Sequence, residues 1–310
     1  MKRRDWAAAL QSVIRHPTSE VKIDEPLARY TTARLGGPAD LLIEATSADE
    51  LGAVVVAARS MQLPITILGG GANVLISDAG VRGLTIINKA KRLEFRQPDV
   101  VWCESGVALP TLARECIARG LSGLEWAVGV PGTIGGAVVG NAGAHGRDIA
   151  ANLLSATVLT GDHEVVEWAK TDLHFGYRRS RIKSEIRSQK PATVVLAATF
   201  QLTAGNPAEL EKKAAEFNEY RRRTQPPGAS LGSMFKNPPG DAAGRLIDQC
   251  GLKGTRVGDA EISTVHANFF VNRGHARAAD VKALIDLARA RVHEHFGIEL
   301  ELEIELVGEW

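Results

Sequence analysis

Cysteine is scarce in this 310-residue chain: Cys103, Cys116 and Cys250 are all there are, and no two form a C-x-x-C pair. An odd, scattered set excludes a disulfide framework and a zinc ribbon, and fits a reducing compartment. The eight histidines do not restore a metal reading. His293 and His295 are two residues apart, which separates them around a helix; no metal is expected. Charge of one sign is also lacking. Lys plus Arg is 37 and Asp plus Glu is 36, a net charge of +1. The whole chain therefore gives no reason to invoke nucleic acid or an anionic membrane, and an anionic ligand must be held by local charge. No stretch approaches the roughly 18 apolar residues of a membrane span. Residues 1–17 are basic but have no continuous apolar core of a signal peptide. The expectation is a soluble, cytoplasmic protein. Internal repeats and low-complexity segments are absent.

Glycine is plentiful. At 31 residues it exceeds the usual share of about 7%, and many of the glycines cluster. The length allows roughly two domains or three small ones. Ser47-Ala48-Asp49-Glu50 predicts a capping box before a helix whose inward residues are Leu51, Val54, Val55, Ala58 and Met61. Strands are predicted at 65–68, 84–88, 100–104, 156–160, 164–168 and 194–202, and a short helix at 110–119 stopped by Gly120. Asn206 and Pro207 suit the N-cap and first position of a helix that buries Leu210, Ala214, Phe217 and Tyr220. Then come a loop at 224–232, a helix at 242–250, a strand near 267–271, an amphipathic helix burying Val281, Leu284, Ile285, Ala288, Val292 and Phe296, and a strand at 298–307. Strands and helices mix without a strict βαβ rhythm, so the fold class is α+β. The expected division is 1–83, 84–205 and 206–310.

Two glycine clusters carry the chemistry. Gly69-Gly70-Gly71-Ala72-Asn73-Val74 follows a strand. It is not a dinucleotide fingerprint, because Val74 stands where the third glycine belongs and no helix follows. It reads either as a bare loop that lets a ligand approach the backbone or as a tight turn. The second cluster spans 129–146, with seven glycines in eighteen residues. So many glycines weaken any regular element, and the segment is too apolar for a linker. It reads as a compact loop presenting backbone N–H groups to an anion such as a pyrophosphate, or else as a packing corner.

These residues resemble a known family. Ile67 to Leu75, with the 129–146 run, resembles the FAD-binding domain of the vanillyl-alcohol oxidase type. Tyr177-Arg178-Arg179-Ser180, Arg222-Arg223-Thr224-Gln225-Pro226 and Gly232-Ser233-Met234-Phe235-Lys236-Asn237-Pro238 are similar to motifs of the UDP-N-acetylenolpyruvoylglucosamine reductases. So is the run from Ala243 to Gly254. The likeness extends from about Tyr30 to Gly308. The short stretch after Ser180 resembles the compact type II form. The resemblance implies a two-part FAD-binding domain followed by an α+β substrate-binding domain. It also implies non-covalent FAD, NADPH as reductant and a UDP-sugar substrate in peptidoglycan precursor synthesis, with no nucleic-acid or membrane partner, and a monomer is expected.

The resemblance also distributes roles. Arg178 stabilises the charge that develops on the substrate carboxylate; without the motif, Arg178, Arg179 and Arg181 are indistinguishable and each could be a surface ion pair. Ser233 delivers a proton to C2; without the motif, a Ser in a Gly-rich loop reads as turn chemistry. Glu303 assists at the carboxylate of the intermediate, a task that suits a protonated carboxyl; without the motif, Glu299, Glu301, Glu303 and Glu305 read as one solvated face of a strand. Gly69, Gly70, Gly71, Ala72, Asn73, Gly132, Thr133, Gly135, Gly136, Asn141 and Gly143 are placed at the cofactor. Tyr177, Lys236 and Asn237 are placed at the substrate. Arg245, Lys253 and Arg256 are further basic candidates, and Arg221-Arg222-Arg223 reads as a solvated helix end in preference to a set of phosphate ligands.

Four positions depart from the family pattern: Gly140 for Met, His145 for Tyr, Leu302 for Pro and Glu305 for a basic residue. Glu301 and Glu305, on either side of Glu303, put the register there in question. Two other readings compete: a flavin oxidase of the same fold, in which His145 invites a covalent flavin, and a flavin- or nucleotide-binding protein without activity.

Overall fold

The computed structural model describes residues 3–14, 20–188 and 193–310. Parts of the N-terminal segment and of the short connection after Ser180 lie outside the described residues. Among the described residues no helix is long and apolar enough to cross a membrane.

The chain divides into two compact units, each built from segments that are not contiguous in sequence. The first comprises Met1–Lys22, Leu42–Gly69 and Thr85–Glu219. Its centre is an antiparallel five-stranded sheet in the order Val165–Ala169, Leu153–Leu159, Val194–Gln201, Val100–Glu104, Leu93–Gln97. The core gathers Val101, Ala156, Val158, Ala198 and Phe200 from the sheet with Leu112, Cys116 and Ile117 of the helix Leu109–Ala118. Leu210 and Ala214 of the helix Pro207–Thr224 join that same core, which is why the first unit extends as far as Glu219. Asn206 accepts the Ala208 N–H at 3.0 Å, as its place before Pro207 predicts. Tyr220 is corrected: it is 51% exposed rather than buried. Cys103 and Cys116 are buried thiols. Desolvation pushes both up, Cys116 to about 12, so neither is a nucleophile near neutrality.

The capping box is also modified. Ser47 accepts the Glu50 N–H at 3.1 Å, but Glu50 reaches back to the N–H and hydroxyl of Thr46, one residue beyond the cap, at 2.7 Å each. A larger correction concerns 129–146, which is not one loop. It contains the helix Ile134–Gly140, with Ile134, Ala137 and Val138 buried. Packing overrides glycine's poor helix propensity here. The Gly135 N–H donates to the Ser105 carbonyl at 2.8 Å, and a Cβ on Gly135 would stand 3.0 Å from that of Ser105.

The second unit comprises Ile23–Leu41, Gly70–Leu84 and Tyr220–Trp310. Its antiparallel sheet runs Ala229–Ser233, Phe269–Asn272, Ala260–Ile262, Arg256–Val257. The first of these strands corrects the loop expected at 224–232. The helix Ala278–Phe296 packs Val281, Leu284, Ile285, Ala288 and Val292 into this unit's core, and Gly297 ends it at φ +67. Its first N–H groups are capped from far away in sequence: Asp78 accepts from Ala278 and Ala279 at 2.9 Å each. The strand predicted at 298–307 shortens to Glu305–Val307, which runs parallel to Val74–Ile76.

Glu261 lies within the second unit with its side chain 4% exposed. The Arg273 guanidinium on one carboxylate oxygen, with Arg256 on the other, holds its carboxyl below the usual carboxylate range. A depressed native value means stability that is fully present above the ordinary value and is lost as pH falls through the native one. In urea melts across pH, the advantage of wild type over Glu261→Gln is expected to be largest near neutrality and to shrink below about pH 4.5. A gap that widens on acidification would contradict this assignment.

Candidate functional site

In the first unit the strand Ile65–Leu68 runs into Gly69, and the bare backbone there faces Thr133. A Cβ on Gly69 would fall 2.1 Å from Thr133 Oγ1. The two glycine clusters thus meet at a contact that only glycine permits. Beyond it the surroundings open: a Cβ on Gly132, at φ +122, would have no neighbour within 4 Å, and one on Gly136 would only reach Thr133 Oγ1 at 4.0 Å. This is a cradle of uncovered backbone beside unfilled space, and it fits a flavin nucleotide whose pyrophosphate takes backbone N–H groups.

Downstream, Gly143–Ala144 and Arg147–Asp148 form a small hairpin. His145 and Gly146 turn it at φ +53 and +75. Histidine is among the residues that tolerate this region, and its ring stacks on Phe217 at 4.3 Å. That contact accounts for the aromatic character of position 145. Gly140 has open space where a Cβ would project, so the larger residue of the family pattern needs no room that is missing here. Arg178 donates through Nη2 to the Gly143 carbonyl at 2.9 Å. Beside it, Tyr177 is 59% exposed, with the guanidinium 5.4 Å from its ring centre. Asn141, which the resemblance places at the cofactor, is 2% exposed and its amide is engaged by three protein groups, so its side chain serves the protein's own turn and is left out of the flavin contacts proposed below.

The second unit carries the remaining part of Gly70–Asn73 together with Ser233, Lys236, Asn237 and Glu303. Gly71, at φ +59, lies so close to residue 30 that a Cβ would be 2.0 Å from the Tyr30 carbonyl oxygen. Thr32 ties this loop to the strand leading to Ser233: its N–H donates to the Gly71 carbonyl at 3.1 Å and its hydroxyl to the Ser230 carbonyl at 2.7 Å. Between Ser230 and Ser233 the register against the neighbouring strand slips. Gly232, at φ +76, supplies the left-handed residue of this bulge, which re-aims the serine that follows.

Backbone bonds fix the pairing of the segment around Glu303. Lys236 N–H donates to the Glu301 carbonyl at 2.8 Å, and Glu303 N–H to the Met234 carbonyl at 2.9 Å, around a bridge between Phe235 and Leu302. Glu303 is thereby set against Met234, the neighbour of Ser233. Neither bond uses the N–H of residue 302, so proline and leucine can fill the same place. The chain bends at Glu303 and Ile304, which breaks the alternation expected for a solvated strand face. Asn73 donates to the Glu303 carbonyl at 3.1 Å and accepts the Glu305 N–H at 2.9 Å. Glu301 forms an ion pair with Lys236.

Asn237 is exposed and accepts the Ala243 N–H at 3.1 Å, starting the helix Ala243–Gln249. The other basic candidates are paired: Arg245 with Asp241, Lys253 with Asp248, Arg256 with Glu261. Arg222 and Arg223 are exposed as predicted, but Arg221 is half-buried.

Sequence reasoning missed Thr32 and Asn268. The signal for the first was the unread run Gly36-Gly37-Pro38, which closes the segment bearing Thr32. Asn268 gave no signal. It is 3% exposed and grips the Phe235 backbone from both sides, accepting its N–H at 2.9 Å and donating to its carbonyl at 2.8 Å. The Asn268 N–H in turn donates to His266 Nδ1 at 3.2 Å. Burial, with Lys253 nearby, holds that imidazole below its ordinary pKa and so keeps it an acceptor. Asn268→Ala leaves two buried backbone groups unpaired, at about 1–3 kcal/mol each. The unfolding free energy is expected to fall by that amount, seen as a lower urea midpoint with an unchanged slope; an unmoved midpoint would show that the grip contributes nothing.

Comparison with known proteins agrees with this geometry. The family model described as FAD binding domain matches residues 39–169, and that described as UDP-N-acetylenolpyruvoylglucosamine reductase, C-terminal domain, matches residues 224–307. The chain is 47% identical to the UDP-N-acetylenolpyruvoylglucosamine reductase of Rubrobacter xylanophilus, over 93% of this chain and 95% of that one. It is 45% identical to that of Chloroflexus aurantiacus, over 92% and 96%. The crystal structure of the reductase from Thermus caldophilus superposes with a TM-score of 0.78 at 37% identity, covering 94% of this chain and 99% of that one.

Proposed function

The chain belongs to the UDP-N-acetylenolpyruvoylglucosamine reductase family, and from that premise we propose that Arg178, Ser233 and Glu303 carry its reaction. The reaction is the NADPH-dependent reduction of the enolpyruvyl ether of UDP-N-acetylglucosamine to UDP-N-acetylmuramate, with FAD as cofactor. When bound, FAD would supply the hydride relay between NADPH and C3 of the enolpyruvyl group.

The chain's residues supply position, charge and a proton. Gly69, Gly70, Gly71, Ala72, Asn73, Gly132, Thr133, Gly135, Gly136 and Gly143 would hold the flavin. Hydride arriving at C3 drives negative charge toward C2 and the carboxylate. Arg178 meets that charge as a fixed cation that can donate two parallel hydrogen bonds. The Ser233 hydroxyl delivers its proton to C2, which the basicity of the enolate-like intermediate makes feasible for so weak an acid. Glu303 works at the substrate carboxylate. Tyr177, Lys236 and Asn237 bind the nucleotide sugar.

The observation that carries this reading is the backbone register of 234–236 against 301–303, which sets Glu303 beside the residue after Ser233. The spans of the two matched family models support the further reading of an FAD-binding portion within 1–205 and a substrate-binding portion within 206–310. A monomeric cytoplasmic enzyme acting ahead of cell-wall assembly completes the proposal. The test is NADPH consumption by the FAD-loaded protein under nitrogen. It is expected to match the added enolpyruvyl nucleotide mole for mole. Consumption that needs oxygen and ignores the nucleotide would refute the proposal.

A further inference from the structure

The stretch that presents Arg178 is a tight turn. Gly176 and Arg179 exchange both backbone hydrogen bonds, at 3.0 and 3.1 Å, so Tyr177 and Arg178 are its two central residues. Arg178 is held at φ +55, an uncommon conformation for a long side chain. Such a residue persists only when its surroundings over-determine it.

Those surroundings are residues 139–143. Asn141 donates through Nδ2 to the Gly176 carbonyl and to Asp148 Oδ2, both at 3.0 Å, and accepts the Ala150 N–H on Oδ1 at 3.1 Å. These partners fix which end of the amide is which: a backbone donor faces its oxygen, while a carbonyl and a carboxylate face its nitrogen. At the exit of the turn, the Ser180 hydroxyl donates to the Val139 carbonyl at 2.6 Å and accepts the Lys183 N–H at 3.1 Å. Between them, the guanidinium of Arg178 donates to Gly143. Entry, exit and side chain of the turn are thus all tied to the end of one short helix and the residues after it.

We infer that Asn141 is a positioning residue for Arg178. It acts through the Gly176 carbonyl, and Asp148 orients its amide. The inference rests on the role proposed for Arg178. A guanidinium that must meet a carboxylate with two parallel bonds is sensitive to a small rotation of its turn, and a misplacement of about 1 Å can cost about 100-fold in rate.

Two variants test this. Asn141→Ala removes all three bonds. The paired exchange N141D/D148N is more selective. It keeps a donor–acceptor pair between 141 and 148 and an acceptor for Ala150, but leaves nothing at 141 to donate to Gly176. Both are expected to bind FAD and to be reduced by NADPH within about twofold of wild type, while flavin reoxidation by the enolpyruvyl substrate slows by about tenfold or more. In the Arg178→Ala background, Asn141→Ala is expected to add nothing further.

Wild-type reoxidation in N141D/D148N would overturn the inference even if Asn141→Ala fails to fold. So would a full additional loss on top of Arg178→Ala, or an equal loss in both half-reactions. If Arg178→Ala is slow and both Asn141 variants are fast, the role of Arg178 stands and the inference alone fails. If Arg178→Ala reoxidises normally, both fall.

Discussion

Ser233→Ala is expected to retain FAD and to be reduced by NADPH at close to the wild-type rate, yet to lose about 10²–10⁴-fold in reoxidation by the enolpyruvyl nucleotide. The split follows from where the proton is needed. Flavin reduction by NADPH requires no proton at the substrate's C2, whereas hydride transfer to the enolpyruvyl group leaves C2 as a base awaiting one. The serine sits just after a bulge whose left-handed residue is Gly232, so removing one hydroxyl changes the donor without disturbing the backbone that aims it. Rapid-mixing measurements of the two half-reactions separate the outcomes. Equal loss in both would make Ser233 a structural or flavin-contacting residue instead.

The second large effect is at Arg178. On the role proposed for it, Arg178→Ala takes the cation away from the developing carboxylate charge, and about 10²–10³-fold is expected to disappear from the substrate half-reaction. Flavin reduction is expected to stay mostly intact. Arg178→Lys should recover little, because a lysine is a single point of charge and cannot donate two parallel bonds from a planar group. The turn makes the same demand on either side chain, since the backbone at 178 is left-handed whichever residue occupies it. Normal turnover in Arg178→Ala would remove this residue from the mechanism.

Much of the fold was legible because it is written in local periodicity. The helix Ala278–Phe296 shows its buried face at helical spacing and its stop at Gly297, and the strand Ile65–Leu68 is a short apolar run that ends in glycines. The candidate residues Arg178, Ser233 and Glu303 were legible only through motifs, since nothing local separates Arg178 from Arg179 or a reacting serine from a turn serine. What was illegible depends on partners distant in sequence. Glycines in Ile134–Gly140 argue against a helix until Ser105 is seen packed against Gly135. Asp78 reads as part of a turn, and its role as a cap for a helix two hundred residues on exists only in three dimensions. The grip of Asn268 on Phe235 and the bond from Thr32 to Ser230 are of the same kind. Leu302 departs from the family pattern, yet the two bonds that pair 301–303 with 234–236 bypass its N–H, a relation invisible in the sequence.

The most direct test of the account is a single turnover. The FAD-loaded protein is reduced with one equivalent of NADPH in the absence of oxygen and mixed with the enolpyruvyl ether of UDP-N-acetylglucosamine. The account predicts that the oxidised flavin band returns within the catalytic cycle time and that one equivalent of UDP-N-acetylmuramate is formed, with Ser233→Ala and Arg178→Ala reduced normally but slow to recover. A flavin that stays reduced until air is admitted would contradict it.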